Sequence, residues 1–337
     1  MNHTIIAEGN HNSPPPGRRG RGGGPNHLTR GEVLAALGGS VLFLLVQTTV
    51  VGLIPAQVLM VAIFNVLFFA HPQSRRLAVA LLPFVVFEIS YDWMRLYPNY
   101  RVNPIDIRGI YEAELQLFGV TAEGQTMIPG QYLQLHHAPL PDLLSGLFYL
   151  CWVPGPMALG LWLIYRGRHR DYLRFVFAFL MVNFVGFAGY YIHPAAPPWY
   201  ALNYGFEPDF SMPGNVAGLI HFDRMVGIPV FQSIYVNNSN IFAAVPSLHS
   251  AYMLTATVYA VVSRRSRGLI ALCAMITAGI WWTAVYSCHH YIIDVLLGIV
   301  TACIGILLFE CVVLRWPAFS RFFRNYTAYI AGAQQAP

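Results

Sequence analysis

The stretch YSCHHYIIDVLLGI, Tyr286 to Ile299, sets two histidines and an aspartate at the mouth of a long apolar run. An aspartate in a helix this close to lipid costs about 2.5–3.5 kcal/mol on insertion scales, so it needs a partner. His290 is the obvious one. On a helix starting at His290, positions 290 and 294 share a face, with Cβ atoms about 5–6 Å apart. A carboxylate so placed accepts a hydrogen bond from one imidazole nitrogen. That fixes the tautomer and makes the other nitrogen more basic and nucleophilic. The plainer reading of the same spacing is a structural polar pair inside a helix bundle.

The rest of the chain supplies that bundle. Hydrophobic residues make up 56% of the 337 and charged residues only 10%, where a soluble protein carries about 25% charged. Several apolar runs approach the ~20 residues that cross a bilayer as a helix. The fold class is therefore all-α, a polytopic membrane bundle of about eight helices. They fall near 33–53, 55–70, 76–94, 142–165, 171–193, 247–263, 268–288 and 290–314. The first two are joined by a tight turn near Pro55 and the second is short, so whether they are separate spans is open. Residues 1–30, with the run NSPPPGRRGRGGGPN, cannot bury a core and are expected to be a disordered cytoplasmic tail. A transmembrane catalytic domain follows over 31–324, and a C-terminal tail over 325–337. The five cysteines are scattered without a C-x-x-C and suit packing as small hydrophobes.

All 20 basic residues are arginine. With the N-terminus in the cytoplasm, 16 of them fall in cytoplasmic segments and four (Arg95, Arg101, Arg108 and Arg224) outside. That split follows the positive-inside rule and favours an even number of spans, with both termini cytoplasmic. The expected location is a bacterial plasma membrane. Two long connections, about 95–141 and 194–246, then lie outside, and their length points to function. The ends of distant helices also gather there. His193 closes the fifth, His249 opens the sixth, His290 opens the eighth, and YDWMR, Tyr91 to Arg95, closes the third.

His249 lies in FAAVPSLHSAY, Phe242 to Tyr252. Pro246 suits a first helical turn and Ser247 suits a cap, which sets His249 just inside a helix N-terminus. The positive end of the helix dipole there favours a bound anion such as phosphate. A second histidine can give a proton to a leaving alkoxide and later take one from an acceptor. A nucleophile, its orienting acid and a general acid outline phosphoryl transfer through a phosphohistidine. Fixed positive charge must also meet the phosphate oxygens. Arg95 is the favoured cation, with Asp92 beside it to hold it. His193 and Ser247 complete the candidate phosphate or headgroup contacts. The alternative for His193 is a structural turn leading into the rigid interfacial run PAAPPWY.

Other readings compete. His193, His249, His289, His290 and Asp294 could surround zinc, but there is no H-E-x-x-H. The side chains of adjacent histidines on a helix also diverge by about 100°. No residue pattern calls for a metal or an organic cofactor, and four arginines in the tail do not make a nucleic-acid site. A transporter would spread its polar groups through the membrane depth rather than gather them at one face.

PSLHS followed by HHYIIDVLLG resembles the type 2 phosphatidic acid phosphatase superfamily, and more closely its inositol phosphorylceramide synthase branch, the aureobasidin-sensitive type. APPWY and YDWMR are similar to further elements of that branch, and the likeness covers roughly 85–310. The resemblance implies a six-helix phosphatase-like core. It makes His290 the nucleophile, Asp294 its partner and His249 the proton donor to the leaving group, in a site facing outside. The partners it implies are membrane lipids, as donor and as acceptor. The broad superfamily pattern also carries a Lys and Arg-Pro before the first motif and Ser-Arg before the second. Here there is no Lys, IHPAAPP stands near the place of Arg-Pro, and Thr283-Ala284 replaces Ser-Arg. Those departures are shared by the synthase branch and favour moving a phosphorylated headgroup such as phosphoinositol to a lipid alcohol. A lipid-phosphate phosphatase using water as acceptor remains the alternative.

Overall fold

Thr29 opens the first helix with a capping box. Its hydroxyl accepts from the Glu32 amide at 3.2 Å, and the Glu32 carboxylate accepts from the Thr29 amide at 2.9 Å. The computed structural model describes residues 28–236 and 240–332. The expected disordered tail, up to residue 27, and the last residues from 333 lie outside the described ones.

In chain order the helices are α1 (Arg30–Val46, prolonged by a π-turn over Gln47–Val51), α2 (Pro55–Ala70), α3 (Pro72–Ala80) and α4 (Leu82–Trp93). Then come α5 (Arg108–Phe118), a short antiparallel hairpin of β1 (Val120–Ala122) and β2 (Gln125–Met127), α6 (Pro129–Leu135), α7 (Pro139–Tyr149) and α8 (Pro154–Tyr165). The chain continues through α9 (His169–Ile192), α10 (Pro198–Tyr204), α11 (Ile220–Val226) and α12 (Val230–Tyr235). It ends with α13 (Leu248–Val262), α14 (Arg267–Tyr286), α15 (Ile292–Leu308, prolonged by a π-turn to Val313) and α16 (Pro317–Ala331).

The protein is thus a polytopic helical membrane bundle, as composition implies. Two of the expected spans differ from plain helices. The third is α3 and α4, bent by 41°, and the fourth is α7 and α8, bent by 45°. Proline is the cause in each case, because its ring displaces the carbonyl four residues back and offers no N–H. At the first bend Pro83 lies four residues after Val79, whose carbonyl instead accepts from the Tyr326 hydroxyl of α16 at 2.5 Å. The second bend precedes Pro154 and Pro156. The helix α16 also corrects the expected tail, since residues 325–331 continue it and it packs on α3 and α9.

The core is α9, α13, α14 and α15, with α7 and α8 against them. Half of the most apolar window of α9 is buried, against 11% in α1, so α1 stands at the periphery. Close packing inside needs small residues. Gly305 of α15 lies so near the Val182 backbone of α9 that any side chain there would collide with it. Glu310, a charge in an otherwise apolar stretch, is matched by Arg174 through two bonds of 2.7 and 3.1 Å and by the Tyr259 hydroxyl at 2.5 Å.

Across the far end of the bundle the two long connections are stitched together. Asp106, Ala195 and Ala243 form a small parallel ladder: the Asp106 amide donates to Pro194 O at 2.8 Å, and the Ala195 amide to Phe242 O at 3.1 Å. The Asn99 side chain donates to Tyr190 O and Phe242 O, each at 2.9 Å. This ladder holds the segments that carry His193 and His249.

Candidate active site

The start of α13 sits directly on α15. Gly298 faces the Ser247 carbonyl, where no Cβ could fit, and the Ser247 amide donates to the Asp294 carbonyl at 3.1 Å. The spacing Asp294-x-x-x-Gly298 therefore has a mechanical meaning: one helix face carries both the carboxylate and the gap that admits the PSLHS segment. The first amides of α15 lack intrahelical acceptors. Tyr291 N donates to Asp294 Oδ2 at 3.0 Å, and Ile292 N and Ile293 N donate to the Glu114 carboxylate of α5 at 2.8 and 3.1 Å.

His290 does not stand on the α15 face, as the sequence suggests. It belongs to the turn between α14 and α15, where Cys288 takes a positive φ of 58° and the amides of His289 and His290 both donate to the Ala284 carbonyl. The turn still brings its ring to Asp294, with Nδ1 3.3 Å from Oδ2. Its Nε2 lies 3.1 Å from His249 Nδ1. With Nδ1–H donating to the carboxylate, Nε2 keeps its lone pair and accepts from His249. His290 is buried, and burial pushes its imidazole down to about 4, so the ring is neutral at neutral pH. The His249 ring is walled by Tyr149 and Trp152, at centroid distances of 5.1 and 4.5 Å. His289 turns away: its Nε2 meets the Val216 carbonyl at 2.9 Å, and its ring stacks on Tyr235 at 4.5 Å.

A cavity of about 490 Å³ opens beside His249. Trp152, Tyr190 and Tyr252 line it, together with Glu88, Asp92 and Arg95 from the α4 end. Arg95 is paired with Asp92, and Gln57 of α2 donates to Asp92 Oδ2 at 2.8 Å. The Arg95 side chain stays 42% exposed, so part of its guanidinium remains free to meet an anion. Arg108 is occupied elsewhere, 4.3 Å over the Phe206 ring.

One candidate, Ser247, falls differently from expectation. Ser247 is fully buried between α13 and α15, accepts from the Ser250 hydroxyl at 3.2 Å, and lines no part of the cavity. It serves the helix contact, because the close approach allowed by Gly298 leaves no room for a phosphate there. His193 faces Asp106, its Nε2 3.3 Å from Oδ2, and Asp106 in turn caps α5 through the Gly109 amide at 2.7 Å. Sequence reasoning did not find Glu114, Tyr149, Trp152, Gln57 or Glu88. Glu114 meets α15 across 178 residues, and no local pattern marks such a contact.

Among the described residues, the group with metal-ligand geometry is His137, Asp142 and His221, none of which belongs to the five considered from the sequence. Its carboxylate is already engaged, by His137 at 3.0 Å and by the Tyr286 hydroxyl at 2.6 Å.

A helical bundle in which a partly buried His249 meets the buried His290 and Asp294 fits the class of polytopic membrane phosphotransferases, and the chain's relatives place it there. More particularly, the chain belongs to the PAP2 superfamily, whose family model matches residues 128–308. It is 54% identical over 299 residues to the phosphoinositol dihydroceramide synthase of Bacteroides thetaiotaomicron, covering 89% of this chain and 98% of that one. Against the inositol phosphorylceramide synthase of Candida albicans it is 34% identical over 126 residues, 37% of this chain and 26% of the relative. Against the inositol phosphorylceramide synthase catalytic subunit of Saccharomyces cerevisiae it is 25% identical over 256 residues, 70% and 59% of the two chains. No solved structure matches the chain.

Proposed function

We propose that this enzyme moves phosphoinositol from a phospholipid to a lipid alcohol of the dihydroceramide kind, through a phosphohistidine at His290. The observation that carries the reading is the line of groups Asp294 Oδ2, His290 and His249, joined at 3.3 and 3.1 Å. His290 Nε2 attacks phosphorus, and the bond from phosphorus to the glycerol oxygen of the donor breaks. His249 delivers a proton to that oxygen, so diacylglycerol leaves. Asp294 holds the Nδ1 proton and balances the charge that the ring gains. In the second half the acceptor hydroxyl gives its proton to His249 and attacks phosphorus, and the phosphorus–nitrogen bond breaks. Arg95, held by Asp92, supplies positive charge for the phosphate oxygens. His193, set by Asp106 at the same end of the bundle, suits a contact with the headgroup.

The arginine distribution supports cytoplasmic termini and a site that faces outside. The names of the relatives support inositol and a dihydroceramide-type acceptor. Phosphatidylinositol labelled in its phosphate tests the reading. Wild type should form a covalent adduct, His290→Ala none, and His249→Ala should form it about 10²–10⁴-fold more slowly. Free inositol phosphate in place of the transferred lipid would show that water is the acceptor.

A further inference from the structure

A second cavity, of about 780 Å³, lies among α1, α2 and the α3–α4 pair. Apart from Glu32, Ser40 and Tyr329 its walls are alanine, glycine and larger apolar side chains. It is not separate from the His249 cavity, because Phe43, Ala56, Met60 and Ile89 line both. On α1 it runs from Phe43 to Glu32, about 17 Å at 1.5 Å per residue. That is more than half of the ~30 Å hydrocarbon thickness, the depth of one leaflet. The polar groups Asp92, Arg95 and Gln57 stand in the His249 cavity, at the head of this cleft.

The chemistry says which part of a lipid needs such a cleft. In a double displacement at His290, the leaving alcohol departs from the face opposite the nucleophile, and the acceptor alcohol must enter at that face. His249 serves both. Each alcohol carries alkyl chains, so each needs an apolar path that ends at His249. We propose that the α1–α2–α4 cleft is that path, a single alkyl-chain site used in turn by the leaving diacylglycerol and the incoming lipid alcohol. This rests on the phosphotransfer reading above and extends it, since the two lipids then exclude one another.

Gly39 provides a clean test. It lines the cleft, and a Cβ added there meets nothing within 4 Å, so a larger side chain starts into open space. Its neighbour Gly38 is equally open but lines neither cavity. Gly39→Phe and Gly38→Phe therefore match in helix propensity and differ only in where the ring goes. The full chain is assayed for adduct formation and for transfer, with long-chain phosphatidylinositol and dihydroceramide and with short-chain forms of both.

Displacing a substrate by about 1 Å can cost roughly 10²-fold, so Gly39→Phe is expected to lose at least about tenfold in both half-reactions with long chains. It should stay near wild type with short chains, and Gly38→Phe should stay near wild type with both. Equal behaviour of the two variants on long-chain lipids overturns the proposal. If Gly39→Phe loses the short-chain reaction too, Val85→Trp, from the α4 wall, decides by the same comparison. A wild-type chain that never forms the adduct would instead overturn the phosphotransfer reading, and the cleft's role with it.

Discussion

Three side chains carry the proposed chemistry, and each is in place for a stated reason. Asp294 is buried at the first turn of α15, where the Tyr291 amide shares its Oδ2 with His290. That sharing fixes the carboxylate, which in turn fixes the imidazole tautomer. Asp294→Asn keeps the shape but can present an N–H to His290 and favour the wrong tautomer. The expected result is a loss of about 10²–10⁴-fold in adduct formation with the melting temperature nearly unchanged, measured on labelled donor. These residues were legible in the chain because polar groups at the edge of an apolar run need partners. Ser247 looked equally suitable and is not, since its environment depends on Gly298, fifty-one positions on.

At the scale of elements, proline and glycine decide the layout. Pro83 and Pro154 bend two spans, and Gly298 and Gly305 let α15 press against the start of α13 and against α9. Gly298→Leu would drive a side chain into the Ser247 carbonyl and part α13 from α15. Overpacking of this kind costs about 1–3 kcal/mol. A thermal melt of the purified variant should show the lost stability, and adduct formation should fall with it as His249 and His290 separate. The glycine was visible in the sequence within DVLLG, but its partner was not. Glu114 is the converse case: a glutamate in a loop helix that closes the α15 N-terminus, a role that exists only once α5 has folded over the bundle.

For the whole molecule, the positive-inside split supports an orientation on which packing alone is silent. It supports placing the His–His–Asp end outside, together with both long connections. In a chain whose five cysteines are replaced by alanine, a cysteine at Glu207 should react with a membrane-impermeant maleimide added to intact cells. A cysteine at Arg170 should react only after the membrane is opened. The reverse pattern would turn the site towards the cytoplasm. The helices α2 and α13, with 16 and 15 residues, rise about 24 and 22 Å. Both are shorter than the ~30 Å hydrocarbon core, and so the span count is less plain in structure than in hydropathy.

By itself the sequence determined that this chain is a membrane bundle, roughly where its apolar spans lie, and that His249, His290 and Asp294 are the residues to watch. Each of these follows from local physics: apolar length, arginine bias, and the cost of charge near lipid. Only tertiary structure decided that His290 sits in a turn rather than on a helix, that Ser247 is packed between two helices, and that Arg95 shares a cavity with His249. It alone shows that this cavity continues between α1, α2 and α4. Such facts arise where segments up to about two hundred residues apart meet, and their geometry is set by close packing rather than by any neighbour in the chain.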